Sequence, residues 1–278
     1  MTLGPLLALC ARHELLLAVR SRWLQTFAVV FGVLTLLVAS SGYVLSGGSG
    51  VQDFARTAES MVQLILLLVP LAALIFGALA LSPERGAAEL LYSQPVPRGT
   101  VLLGRVAGLF LALTGAQAIG FGVAGFVVQR QAGSAGATAF LGAVALAFVL
   151  TAVFVAIAAL VSQVQAAKRT RALAAALVVW FVAVLAYDVA VLGIASLLRS
   201  GTASRLLIVA TLVNPVDAAR TGALMAVEGT AAFGAASLAL LRFTGGALGA
   251  GVLIATSLAA WTIVPLALAA RRLSRADI

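Results

Sequence analysis

Long apolar runs alternate with short polar breaks along the whole chain. A helix needs ~20 apolar residues to cross ~30 Å of hydrocarbon. Six runs meet that length, at about 24–46, 61–81, 106–128, 138–161, 172–198 and 247–270. The pattern predicts an all-α polytopic membrane protein with six transmembrane helices, forming a single transmembrane domain over 1–278. Pro70 falls near the middle of the second run and Pro265 near the end of the sixth. Each removes a backbone donor, and Pro70 predicts a kink. The breaks GGSGVQDFARTAES (47–60) and Gly133–Gly136 read as a short polar turn and a short loop.

The segment before the first span is different. Residues 3–22 mix apolar patches with Arg12, His13, Glu14, Arg20 and Arg22. Leu6, Leu9, His13, Leu16 and Arg20 recur at spacings of three and four. That spacing predicts a helix lying in the membrane interface, its arginines reaching the headgroups, with Trp23 at belt level. Val38-Ala39-Ser40 resembles a signal-peptide cleavage site. The apolar run is too long for such a leader and more spans follow, so it reads as an anchor.

Two polar stretches stand apart. Ser82–Arg105 (SPERGAAELLYSQPVPRGTVLLGR) separates the second and third spans and holds Glu84, Arg85, Glu89, Arg98 and Arg105. Ser82 is placed to cap a helix with Pro83 in its first turn and Glu84 at its positive end. Pro95 and Pro97 stop it, because residues before proline leave helical geometry. The prediction is two to three turns of rigid helix, suited to transmitting a push. The second stretch, 199–243, is too apolar for an ordinary loop. LLIVATLV (206–213) and AAFGAASLALL (231–241) are too short to span, so two or three short helices are expected on or in one leaflet. Asn214 is placed to cap a helix whose first turn holds Pro215 and Asp217. Any non-helical backbone between them must be shielded by protein or water. Asp188, beside Tyr187, is the clear intramembrane charge. Such a residue is costly in hydrocarbon and marks either a vestibule or partner contact, or an interfacial residue hydrogen-bonded to a neighbour.

Composition and charge sharpen this picture. The chain is 63% hydrophobic and 10% charged, which excludes an ordinary soluble domain. A net charge of +9 invites a nucleic-acid reading, but the basic residues sit at the ends of apolar runs, so no nucleic-acid partner is expected. Twelve Lys and Arg lie in the N-terminal segment, 82–105, 162–171 and the tail; six lie on the other side, only two of them, Arg56 and Arg130, in its short loops. The positive-inside rule places both termini and 82–105 in the cytoplasm. The single Cys10 cannot form an intramolecular disulfide.

Several kinds of chemistry lack their residues. There is no G-x-x-x-x-G-K-[ST], and the one lysine, Lys168, follows alanines, so no P-loop cradles ATP here. Gly120, Gly122 and Gly125 spell G-x-G-x-x-G inside an apolar run, where small residues serve close helix packing. Gly104/Gly108 and Gly245/Gly249 read the same way. His13, Cys10 and the scattered Met1, Met61 and Met225 make no metal cluster, and neither H-E-x-x-H nor G-x-S-x-G occurs. No catalytic, cofactor or metal residues are expected. A proton- or sodium-coupled carrier would show more buried carboxylates and paired broken helices, so any energy comes from elsewhere.

SPERG, ELL, SQPVPR and LLGR, in order after the second span, resemble the cytoplasmic loop of ABC-2 type permeases. Those have six spans, an N-terminal interface helix, a coupling helix after span two and short helices before span six, so the resemblance covers nearly the whole chain. More narrowly, SPERGAAELLYSQPVPRG and NPVDAAR (214–220) look like the permeases that serve nitrous oxide reductase maturation. Arg105 departs from the lysine of many relatives but keeps the charge. The resemblance implies an inner-membrane homodimer surrounded by lipids. It implies a cytoplasmic ABC ATPase of the NosF type, which holds the ATP and Mg, and a periplasmic β-helical partner of the NosD type. Ser82, Pro83, Glu84, Arg85, Glu89, Leu90, Leu91, Pro95 and Arg98 would then form the ATPase-docking segment. Asp188, Asn214, Pro215, Asp217 and Arg220 would face the periplasmic partner or a vestibule. A sulfur species for copper–sulfur cluster assembly is the implied cargo. Other readings stay open: a permease for a lipid, glycan or drug, or a scaffold that transmits ATPase motion without moving cargo. An intramembrane enzyme lacks any constellation to support it.

Overall fold

A computed structural model describes residues 3–46, 50–82, 97–164, 169–227 and 235–275. Among them the chain is helical, with no strand. In order the helices are α1 (Leu3–Arg20), α2 (Arg22–Ser46), α3 (Gly50–Leu81), α4 (Arg98–Val164), α5 (Arg169–Phe181), a π turn (Val182–Ala186), α6 (Tyr187–Ser196), α7 (Ser200–Val213), α8 (Pro215–Val227), α9 (Ala235–Thr244) and α10 (Ala247–Arg275). Six stretches are long and apolar enough to cross a membrane: Arg22–Ser40, Glu59–Leu81, Arg98–Val128, Phe140–Val164, Arg169–Ser196 and Ala247–Arg275.

Two expected breaks are helical instead. α3 already begins at Gly50, so most of the 47–60 turn belongs to it. Val51–Ser60 is polar but holds no proline or glycine, and polarity alone does not stop a helix. The loop expected at 133–136 also carries helical backbone within α4. α4 nevertheless doubles back. Gln117 Nε2 donates to Thr151 Oγ1 at 2.9 Å, and the Phe121 and Phe140 rings lie 5.9 Å apart. Along a straight helix those pairs would be ~50 and ~28 Å apart. The two legs, 98–128 and 140–164, are therefore antiparallel neighbours.

The bundle closes around these legs. Phe31 of α2 meets Phe121 edge-on at 5.1 Å, and Phe27 meets Phe76 of α3 at 5.8 Å. α2 crosses the first leg where Gly32 faces Gly120; a methyl on Gly120 would lie 3.0 Å from the Gly32 Cα. Gly125 is likewise filled by Phe140, at 2.8 Å from an added Cβ, so two glycines of the G-x-G-x-x-G serve packing. Of Gly245/Gly249, only Gly249 is closely packed, an added Cβ lying 2.8 Å from the Thr244 carbonyl oxygen. Gly245 has φ +73°, and the Gly246 N–H donates to the Leu241 carbonyl at 3.1 Å. That geometry ends α9 and turns the chain into α10. Inside α3, Pro70 removes a helical donor, and three residues earlier the Leu67 carbonyl accepts from Trp180 Nε1 at 3.1 Å.

Candidate functional site

Two arginine-centred clusters stand out, one at one end of the bundle and one inside it. The first gathers the N-terminal helix, the end of α3, the start of α4 and the end of α10. α1 runs straight into α2 with only Ser21 between them. Of its expected stripe, Leu9, His13, Leu16 and Arg20 are exposed and Leu6 is half-buried; Trp23 is exposed too, consistent with an interfacial helix. Its other face is held by glycine. An added Cβ on Gly104 would lie 2.4 Å from the Cys10 Cβ, and one on Gly108 would lie 2.3 Å from the Ala11 carbonyl oxygen. The small-xxx-small pair thus seats α1 against α4 with backbones nearly touching.

The seat brings a charge with it. Glu14 is 5% exposed, and its Oε2 accepts from Arg105 Nε at 2.9 Å. Arg105 Nη2 also donates to the Ala80 carbonyl, in the last turn of α3. One guanidinium therefore joins three helices, two of which flank the 82–97 segment. Beside it, Arg98 Nη1 reaches the Leu273 carbonyl of α10 at 3.5 Å. Ser82 is buried, and its hydroxyl donates back to the Ala78 carbonyl at 2.6 Å, closing α3. Pro83, Glu84, Arg85, Glu89, Leu90, Leu91 and Pro95 lie outside the described residues. What is placed is the frame from which that segment is hung.

The second cluster is built on α7 and α8, two short helices that form a hairpin with Asn214 at its tip. Asn214 caps α8 as its sequence predicts: Oδ1 accepts from the Val216 N–H at 3.0 Å, with Pro215 at the first helical position. α7 ends inside the bundle, where its last carbonyls lack helical donors. Side chains supply them. Ser257 Oγ donates to Leu212 at 2.6 Å and Trp261 Nε1 to Val213 at 3.0 Å, while Tyr187 Oη, at 3.0 Å, joins the Asn214 N–H on the Ala210 carbonyl. Ser257 and Trp261 lie ten and fourteen residues into α10, or ~15 and ~21 Å along it. The tip thus sits deep beside the last span rather than on the bundle's surface. There every backbone polar group needs a protein partner.

Four of the polar residues expected to act together meet at this tip. Arg220 Nη1 donates to Asp188 Oδ2 at 2.6 Å and to Asp217 Oδ1 at 3.1 Å. Asn214 Nδ2 donates to the Ala183 carbonyl, in the π turn, at 2.8 Å. Asp188 belongs to α6, so the contacts tie the hairpin to span five. Arg220 Nε is buried with no hydrogen-bond partner among the described residues. Two carboxylates therefore share one arginine. Burial first, then the neighbouring Asp188 carboxylate, push the Asp217 carboxyl up to about 7, against the opposing pull of Arg220 and Asn214. Burial prevails over the ion pair here because Arg220's charge is divided between two acids.

The profile of a family described as ABC-2 family transporter protein matches residues 8–278. The chain belongs to this family. Among curated relatives, the probable ABC transporter permease protein NosY of Pseudomonas aeruginosa is 33% identical over 241 residues, 84% of this chain and 87% of that protein. The protein of the same name from Stutzerimonas stutzeri is 33% identical over 239 residues, 82% of this chain and 85% of that protein. This ABC-2 permease is thus the membrane subunit of an ABC transporter. No group of three His, Cys, Asp or Glu is placed to hold a metal among the described residues. Sequence reasoning reached Asp188, Asn214, Pro215, Asp217 and Arg220. It missed the Glu14–Arg105 bridge and the caps from Ser257 and Trp261. The Gly104/Gly108 seat was the available signal for the first; a Ser and a Trp four apart on one face of the last span carry little signal on their own.

Proposed function

We propose that this permease serves copper–sulfur cluster assembly of nitrous oxide reductase, passing a sulfur-containing species across the inner membrane of a denitrifying bacterium. The observation that carries the reading is the identity to two proteins named NosY across more than four fifths of the chain. In this reading the chain is a homodimer with both termini in the cytoplasm, supported by the basic residues gathered at the Arg98–Arg105 end. The segment from Ser82 to Arg98 receives a cytoplasmic NosF-type ATPase, where ATP and Mg are bound. The frame around Arg105 supports this assignment, because a push on that segment reaches α1, α3 and α4 together. The opposite end, with Asp188 and the α7–α8 hairpin, meets a periplasmic β-helical protein of the NosD type.

A second reading has one observation in its favour. A groove of about 660 Å³ opens between α4, α8 and α10, lined almost wholly by apolar residues such as Val149, Met225, Ile254 and Leu258. A lateral apolar opening of this kind suits an amphipathic cargo such as a lipid, glycan or drug.

Purification of the chain in mild detergent, followed by identification of its partners, separates these readings. Recovery of an ATPase and a β-helical periplasmic protein is expected. Glu84→Arg or Leu90→Arg should then abolish permease-dependent ATPase stimulation and reductase maturation at normal membrane insertion. Full stimulation and full reductase activity in both variants would remove the docking assignment. Normal reductase maturation in a strain lacking the chain would remove the assembly role and leave the amphipathic cargo.

A further inference from the structure

The α7–α8 hairpin is hydrogen-bonded to span five and to the last span by different chemistry. Toward the last span the ties are neutral: Ser257 and Trp261 cap the Leu212 and Val213 carbonyls. Toward span five they are Tyr187 on Ala210, Asn214 on Ala183 and Asp188 on Arg220.

Three features mark the span-five side as the one built to part. The helix there is widened into a π turn over Val182–Ala186, a rare local unwinding inside a span, and the hairpin tip bonds to a carbonyl of that turn. Arg220 is incompletely satisfied: a single nitrogen, Nη1, serves both acids while Nε is buried without an acceptor. A fully satisfied network would hold one rigid arrangement, whereas a partly satisfied one does not. Lastly, the two acids stand on different bodies. Asp188 is on α6, but Asp217 is on Arg220's own helix, three residues before it. When Asp188 withdraws, Arg220 keeps a partner and is not stranded as a lone charge at membrane depth, which would be strongly unfavourable.

We propose that the hairpin separates from span five while remaining on the last span, with the π turn as hinge and Arg220 passing from Asp188 to Asp217. The two acids then have opposite roles. Asp188 holds the closed state, and Asp217 stabilises the open one. This does not depend on the cargo and applies equally under either reading above.

The test uses the full chain with Cys10→Ala, in lipid nanodiscs, spin-labelled in pairs and diluted with unlabelled chain so that only distances within one copy are read. Val189 on α6, Val209 on α7 and Val252 on α10 are 72%, 57% and 64% exposed and accept labels without entering the core. Asp188→Asn should lengthen the 189–209 distance, by about one helical turn (~5 Å), in a larger fraction of molecules than in the parent. Asp217→Asn should shift the same distribution the other way, toward the short distance. The 209–252 distance should stay constant throughout. Both acid variants moving the 189–209 distance in the same direction would overturn the proposal, as would a change in 209–252. Should Asp188→Asn fail to insert, Tyr187→Phe removes a tie on the same side and should lengthen 189–209 likewise; an unchanged distance in that variant also overturns it.

Discussion

Arg105, at one end of the bundle, and Arg220, inside it, each meet a carboxylate, and their donors are used in opposite ways. Arg105 sends Nε to Glu14 and Nη2 to the Ala80 carbonyl, two nitrogens to two acceptors on two helices. Arg220 sends only Nη1 to both Asp188 and Asp217 and leaves Nε buried without a partner. In the first cluster Arg105 is matched by a single acid, Glu14. The second has one acid too many, and burial, together with the Asp188 carboxylate beside it, pushes Asp217 up. The number of acids per guanidinium, rather than the mere presence of an ion pair, separates a fastening from a joint. The fastening sits where the 82–97 segment joins the bundle; the joint sits where the short helices meet span five.

The comparison breaks first at Arg105. Arg105→Ala leaves Glu14 buried and unpaired, which should destabilise the protein by about 3 kcal/mol, near the lower end of the range for breaking a buried pair because Arg105 itself is part-exposed. Arg105→Lys should recover only part of the loss, since an ammonium lacks the planar fork that reaches two acceptors. Replacing both partners, Glu14→Leu with Arg105→Met, should restore most of it, because no charge is then stranded. Thermal midpoints in detergent, followed by size-exclusion chromatography, read all three. A single-variant midpoint equal to the parent's would show that the bridge is not a fastening. Gly108→Leu tests the same seat sterically, since its first carbon meets the Ala11 carbonyl at 2.3 Å; α1 should come off α4 and become open to protease.

The next effect is expected at the second cluster and depends on pH. The Asp217 carboxyl titrates near 7 in the folded protein and near 3.8 ordinarily. Between those values the folded state binds more protons than the unfolded one, so stability falls as pH rises through that window. From pH 5 to pH 8 the loss should be about 2–3 kcal/mol, arising from Asp217 with Asp188, Arg220 and Tyr187 facing it. Asp217→Asn should flatten the profile. Arg105 and Glu14 variants should keep the slope while lowering the whole curve. A parent protein equally stable at both pH values would place the two clusters in the same class.

Much of this arrangement is legible in the sequence. Six apolar runs, the Asn214 cap with Pro215 behind it and the Gly104/Gly108 seat follow from local rules of length, capping and small-residue spacing. The misreadings came from treating local signs as sufficient. The polar 47–60 stretch was expected to turn, yet nothing past Gly50 opposes a helix. The small-residue spacing of Gly245 and Gly249 predicts a packing pair, but Gly245 stands in a Gly-Gly dipeptide, a turn signal, and the turn is its role. The Glu14–Arg105 bridge joins residues 91 positions apart, and no periodicity connects them. The π turn was equally hidden, because Val182–Ala186 is composed like any other part of a span.

The smallest effect sharpens the comparison from the neutral side. If the hairpin belongs with the last span, its ties there should behave like ordinary hydrogen bonds, insensitive to pH and independent of the acids. Trp261→Phe keeps the apolar ring and removes the donor to the Val213 carbonyl. Left without a partner, that carbonyl should lower stability by about 1–2 kcal/mol. Ser257→Ala should do about the same at Leu212, since the serine is the donor at 2.6 Å. The two carbonyls are adjacent at the end of one helix, so the double variant is expected to be non-additive: once the last turn of α7 frays, the second cap has less left to hold. Neither change should alter the slope of stability against pH, because neither touches a titrating group. A change of slope in Trp261→Phe would mean that the neutral caps and the acid pair work as one network, and the hairpin would then have no side on which it is merely fastened.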